Sequence, residues 1–551
     1  MRRFASALLV VAAVGCLLVG VALAAVFGTD DRARTGPHQV GGSAAVLTSA
    51  PDLLRVAGPV VQVTAQLPDD RPVFVGVGNA VDVASYTHQV ALTSIDAVSV
   101  RPSRSHPLRL GLSRVGGAAR LPAPPSDIDW WLASSSGQGQ AVLLVELPTD
   151  PASLVVAALD DEPLDDLVLT ASYLLPGAFG IGLGLVGLGL GLAIFAWLTR
   201  PSPRDGSRSQ AAGQQPAVAA GPAVGESRGR VHRSVPIGLA LLLTAGLSGC
   251  ELPRGVTGEP SKLAATPTEA TEVVNRWAEQ RAEALRLLEA APLSDVEATP
   301  TLDIDQGAFE VARRLFAGAA QRVRQDLRLE TVQSPRLGRY PLWFVATVAD
   351  GEQEVTKLQV HRRDSAATPW QLVAQADVLA QTELPELAVD GSGAIEPVAA
   401  DTGEGLAATP QEVADAYAGV LDDGSAAGDD LVAVDSFVQQ TRTVVSTLES
   451  IDGVELEQSW SAGAVQWAMR TSDGGALAFI TMTRTDAYRL ESPRDVEWPA
   501  ESEQQALLAN GSDESPTLEY LQQVLVYLPP EGAGQASALG QYGGVVSDPA
   551  G

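Results

Sequence analysis

Apolar and polar positions follow three different rhythms along this 551-residue chain. The first is unbroken. Phe4 to Phe27 runs 24 residues without a charge, Leu174 to Leu198 is equally charge-free, and Val235 to Gly249 is a 15-residue run with only Thr244 and Ser248 as polar groups. A bilayer core asks for about 20 apolar residues in a helix. The first two runs therefore predict transmembrane helices, within residues 1–30 and 173–199, and the third is short for one.

The second rhythm is alternation, between the first two runs. Val60 to Leu67, Val73 to Val77, Ala97 to Val100, Ala141 to Leu147 and Leu154 to Ala158 read as strands. Pro68-Asp69-Asp70 and Ser134 to Gly139 read as turns between them, and Ala80 to Leu92 as the one helix. Short strands at this spacing predict a β-sandwich-like domain over 31–172. Trp130-Trp131 within it is expected to send one ring into the core and one out, as alternation on a strand would.

The third rhythm is helical and begins twice. Thr266-Pro267-Thr268-Glu269 and Thr409-Pro410-Gln411-Glu412 lie 143 residues apart. Each offers a Thr N-cap, Pro at the first helical position and Glu at the third. An apolar stripe (Val274, Trp277, Ala278, Leu285, Leu288) follows the first, and Val413, Ala416, Tyr417 and Val420 follow the second. Strands come after each helical region, with hairpin turns at Asp350-Gly351 and Asp473-Gly474-Gly475. The expectation is two α+β domains, 262–385 and 406–530, joined by an acidic linker (386–405) and followed by a frayed tail (531–551). Helices followed by an antiparallel meander resemble cystatin-like or nuclear-transport-factor-like cone folds, a likeness of fold alone.

Charge sets the direction of the chain through the membrane. The formal net charge is −29. Residues 1–27 contribute +2, 28–172 contribute −7, 199–234 contribute +4 and 251–551 contribute −28. The two positive stretches flank the predicted spans, which places them on the cytoplasmic side. Residues 200–230, rich in Pro, Gly, Ser, Gln and Ala, are then a cytoplasmic linker. The acidic bulk falls outside, and its sign excludes a nucleic-acid binder driven by counterion release. Lysine occurs only at Lys262 and Lys357 against abundant arginine, which we attribute to GC-rich coding. Cys16 and Cys250 are the only cysteines, so no disulfide framework exists within the domains.

Arg228, Arg230 and Arg233, the short apolar run, and Leu247-Ser248-Gly249-Cys250 together resemble a bacterial lipoprotein signal. The resemblance implies lipidation at Cys250 after cleavage before it, with Leu247, Ser248 and Gly249 as the lipobox. The alternative is a third, uncut helix over 231–250. The stretch Pro72–Ile95, then Asp127–Leu147, then a Gly-rich span resembles a group of actinobacterial two-span membrane proteins. The half from 251 on resembles an actinobacterial lipoprotein family with a duplicated α+β domain. Neither resemblance carries catalytic residues. The chain thus reads as a membrane protein joined head to tail to a lipoprotein precursor.

Gly180-Gly184 and Gly187-Gly191 in the second span are small-xxx-small pairs, expected to let another helix approach closely. Chemistry is sparse. The five histidines (38, 88, 106, 232, 361) show no metal spacing, and no phosphate loop or nucleophile elbow is present. His361 is expected at the surface beside Arg362 and Arg363. Asp422-Asp423 and Asp429-Asp430 lack the alternating oxygen ligands of a calcium loop. The reading is of a non-enzymatic plasma-membrane protein with extracytoplasmic domains and no cofactor, its partners being the membrane and another envelope protein or a wall polymer. The alternatives are an envelope hydrolase and a lipoprotein that holds a small ligand in a cone cavity.

Overall fold

The computed structural model describes residues 2–40, 42–54, 60–100, 108–148, 150–198, 259–316, 325–352, 354–422 and 430–546. Two compact units divide the chain. One contains residues 1–78 and 89–258, and the other contains Asn79–His88 together with Glu259–Gly551.

In the first unit, α1 (Arg2–Phe27) and α3 (Ala178–Leu198) form an antiparallel pair; the short α2 (Ala80–Tyr86) belongs to the second unit. Both long helices are long and apolar enough to cross a membrane. Their seam is made by Gly20, Gly182 and Gly189. A Cβ on Gly182 would sit 2.9 Å from the Ala24 nitrogen, and one on Gly189 2.7 Å from Leu17 Cγ. Gly180, Gly184, Gly187 and Gly191, the expected packing residues, have open space around them. At 100° per residue they lie about 140–200° around the helix from Gly182, on its far side. The close approach uses a seven-residue repeat, two turns of one face, in place of the four-residue pairs.

Ten strands follow α1: β1 (Arg32–Gln39), β2 (Val46–Ser49), β3 (Val60–Gln66), β4 (Pro72–Asn79), β5 (Leu92–Val100), β6 (Leu108–Val115), β7 (Ala133–Gln138), β8 (Gln140–Glu146), β9 (Ala152–Ala158) and β10 (Val168–Leu174). They form one sheet of order β1-β10-β3-β8 and another of order β6-β5-β2-β9-β4-β7, in which β2 and β5 run parallel. Alternation turns Val61, Val63, Ala65, Ala141, Leu143 and Val145 inward, against Val73, Val75, Val77 and Val156 of the other sheet. Ser134–Gly139, expected as a turn, instead supplies most of β7. Only Gly139, at φ +69°, separates it from β8, and there the chain crosses from one sheet to the other: β7 pairs with β4 and β8 with β3. The small polar residues of β7 gave no apolar alternation to read. Trp130 and Trp131 precede β7 and are both half-buried. Their rings lie 4.2 Å apart between centroids, tilted by 42°, and Trp131 leans on Phe74, so neither occupies the core alone.

The second unit repeats one plan. α4 (Pro267–Leu287) and α5 (Thr301–Leu315) precede β11–β16: β11 (Lys262–Leu263), β12 (Leu327–Gln333), β13 (Arg336–Leu337), β14 (Leu342–Asp350), β15 (Val355–Arg363) and β16 (Gln371–Val378), with β11 lying ahead of α4 and paired to β13. α6 (Pro410–Asp422) and α7 (Ser436–Glu449) precede β17 (Val454–Ala462), β18 (Trp467–Arg470), β19 (Ala476–Leu490), the helix α8 (Glu503–Leu508), β20 (Thr517–Leu528) and β21 (Ser537–Val545). Both lead helices start on the Thr-Pro boxes. Thr266 Oγ1 accepts from Glu269 N at 3.2 Å, and Thr409 Oγ1 from Glu412 N at 3.1 Å. The second box closes reciprocally, Glu412 Oε2 accepting from Thr409 N. α4 packs Ala270, Val273 and Val274 on Phe344, Ala346 and Val348. α6 packs Val413, Ala414 and Tyr417 near Ala478, Ile480 and Val526.

Two expectations are corrected here. Residues 386–405 are not a mere spacer: Leu387, Ile395 and Val398 are buried, and Leu387 and Pro397 bridge to Thr471 and Met469. The expected frayed tail is ordered over residues 531–546, where β21 pairs along β20 and reaches β16 at Asp377–Gln541 and Val378–Gly540. Gly540 permits this, since a Cβ there would stand 2.9 Å from the Asp377 carbonyl oxygen. The two halves therefore share one nine-stranded sheet, β12-β14-β15-β16-β21-β20-β19-β17, with β18 beside β19.

Candidate functional site

The two sheets of the first unit leave a cavity of about 330 Å³ between them. β3 supplies Val61 and Val63, β8 Val145, β9 Leu154, and β10 Leu169, Ala171 and Tyr173. Leu53 and Leu54, on a single 3₁₀ turn (Pro51–Leu54), and Ile95 and Leu110 complete the apolar wall. His38, Ser49 and Tyr173 are its polar members. Ser49 Oγ already accepts from the Leu154 amide at 2.9 Å. Burial raises the Tyr173 hydroxyl pKa, so that group stays neutral. A space of this size and lining disfavours water, which needs several polar partners, and suits a hydrocarbon.

The cavity lies close to the long helices. Tyr173 stands four residues before Gly177, at most about 14 Å of extended chain. There Asp31, just after α1, caps α3: its carboxylate accepts from Gly177 N at 2.9 Å and Phe179 N at 2.8 Å. These two amides hold its pKa below the usual carboxylate range. One side chain thus joins the end of α1 to the start of α3, and β1 and β10 pair directly beyond it.

The second unit holds buried charge. Arg281 contacts Asp305 Oδ2 at 2.6 Å, Tyr542 donates to Asp305 Oδ1 at 2.6 Å, and Trp277 Nε1 donates to Glu297 Oε1 at 2.7 Å. Burial, and then the Asp305 charge, hold the Glu297 carboxyl well above its usual range. Burial thus favours the protonated form of Glu297, while Arg281 pairs most closely with Asp305 and stands 3.8 Å from Glu297 Oε1. A smaller cavity of about 180 Å³ beside them is otherwise lined by Leu285, Leu288, Phe309 and Phe316 among others. The second half places Arg484 over the Tyr520 ring at 3.5 Å and 3.2 Å from Asp486. Each cluster consumes its charges internally.

His361 is not at the surface. It is 0% exposed, stacked on Phe344 at 5.0 Å, with Nε2 3.3 Å from Gln359 Oε1. Burial pushes its imidazole down to about 3, which keeps it neutral. Arg363 beside it is buried as well, its guanidinium donating to the Thr368 carbonyl. Both faces of β15 are buried, Lys357 to His361 without a break, which a polar strand sequence conceals. Asp422 Oδ1 accepts from Trp460 N and is structural. Among the described residues no three His, Cys, Asp or Glu side chains gather as a metal site. Cys250 and its lipobox residues Leu247, Ser248 and Gly249 lie outside the described residues. The cavity itself was invisible to sequence reasoning; the only signal was the buried alternation of β3 and β8.

Comparison with curated proteins and with solved structures gives no match. The family model described as Domain of unknown function (DUF8094) matches residues 261–549, more than half of the chain, and the chain belongs to that family.

Proposed function

We propose that this chain is a membrane-anchored envelope protein whose outer β domain takes a lipid hydrocarbon chain into the cavity between its sheets. One observation carries the reading: an apolar space whose wall includes β10, the strand that runs on into α3. The two long apolar helices support anchoring, and the positive stretches before α1 and after α3 support an outward-facing domain. A second lipid attachment at Cys250 fits the lipobox, and two acyl chains anchor far better than one. The helix-then-meander order of each later half supports reading them as cone-like binding or scaffolding domains for an envelope partner. We favour binding over hydrolysis because the buried acids and His361 are neutral or paired.

The test is displacement of a dansyl-labelled fatty acid from protein held in lipid-depleted nanodiscs. Saturable binding is expected, lost at least tenfold in Val63→Trp, which fills the cavity. A wild type that takes up no probe, or a Val63→Trp variant that binds as well, overturns the reading. Palmitate labelling that persists in Cys250→Ala would remove Cys250 as the lipidated residue.

A further inference from the structure

The second unit is discontinuous: ten residues, Asn79–His88, fold with Glu259–Gly551. Asn79 caps α2 by accepting from Val81 N at 2.9 Å. Val81 then enters the core cluster of Ala264, Ala265, Val274 and Phe344. Tyr86 is fully buried. Asp82 is 1% exposed, and its carboxylate receives Lys262 Nζ at 2.8 and 3.1 Å and the Tyr340 hydroxyl at 2.8 Å. Ser85 Oγ accepts from the Ala366 amide at 3.0 Å. Three separated places, 262, 340 and 366, thus converge on one turn and a half of helix. A buried carboxylate must be paired to be tolerated, so this match rejects other helices as well as fitting this one. Lys262 is one of only two lysines in the chain.

We propose that residues 79–88 are a docking element for 259–551, one that keeps the polypeptide together when it is cut anywhere in between. Cys250, the lipidation site of the lipoprotein-like signal, lies in that interval. A product released there by signal-peptidase cleavage would stay bound to the amino-terminal piece through Asp82, Val81 and Ser85. The proposal does not depend on the lipid cavity, and it holds for any cut between residues 89 and 258.

The full chain, carrying a sequence-specific protease site inserted between residues 210 and 220 and a carboxy-terminal tag, tests this in mild detergent. After cutting, the amino-terminal piece is expected to co-elute with the tagged piece. Asp82→Lys should release it at least tenfold more, and Asp82→Lys with Lys262→Asp should restore retention. Pieces that part in the wild type, or stay together equally in Asp82→Lys, overturn the proposal. If Asp82→Lys does not fold, Tyr340→Phe removes a single hydroxyl; release several-fold faster supports the docking role, and unchanged retention overturns it.

Discussion

The Tyr542 hydroxyl donates a 2.6 Å hydrogen bond to Asp305 Oδ1, tying the last strand of the chain to a helix 237 positions earlier. Arg281 holds the other carboxylate oxygen of Asp305. β21 thereby serves both halves of the second unit, pairing with β20 and β16 while its tyrosine locks α5. Tyr542→Phe leaves a buried carboxylate one donor short, and we expect a loss of about 1–3 kcal/mol in urea unfolding. Truncation after Ala536 removes β21 whole, and we expect one cooperative loss of structure spanning both halves. Survival of the half 262–385 with native circular dichroism after that truncation would contradict the shared sheet as the source of stability.

His361 sets an acid limit. Below pH 6.5 the unfolded chain takes up a proton that the folded chain refuses until about pH 3, so stability falls across that window. Its contribution is fully present above pH 6.5. His361→Phe keeps an aromatic partner for Phe344, so unfolding free energy should fall less steeply between pH 6.5 and 3 than in the wild type. Identical acid slopes would show that His361 is protonated in the folded state after all.

Glu297 acts in the opposite direction. Its carboxyl keeps its proton to higher pH when folded than when unfolded, so the folded state is favoured at low pH. Stability drains as pH rises from the ordinary glutamate range through the raised folded value. Glu297→Gln preserves the acceptor for Trp277 Nε1 and removes the titration. The variant is expected to gain on the wild type as pH increases from 5 to 9 in thermal melts. A constant difference between the two across that range would sink the argument.

Gly182→Leu and Gly189→Leu force side chains into the backbone of α1, where overpacking costs about 1–3 kcal/mol. Gly184→Leu and Gly187→Leu face open space and should leave thermal stability in detergent almost unchanged. Equal effects at all four positions would mean that the helix pair is not seamed on the Gly182 face.

Several elements were legible because their cause is local. The Thr-Pro boxes start α4 and α6 through hydrogen bonds spanning three residues. The strands at Val60 and Ala141 were written in alternating side chains, and the hairpin turns in Asp-Gly pairs. β7 and β21 were not legible, since ASSSGQ and SALGQYGGV are small and polar and gain their order from neighbouring strands. Which glycines face α1 was not legible, because several glycines share the helix and only the partner selects a face.

By itself the sequence determined the greasy helices, the sign of the flanking charge, and the starting points of the repeated units, all set by transfer free energy and hydrogen bonds within a few residues. Tertiary structure alone decided that His361 is dry, that Asp82 meets Lys262, that β21 joins two halves, and which side chains enclose the apolar cavity. Those outcomes depend on which surfaces of distant segments face one another, and burial and desolvation exist only once the chain has closed around a group.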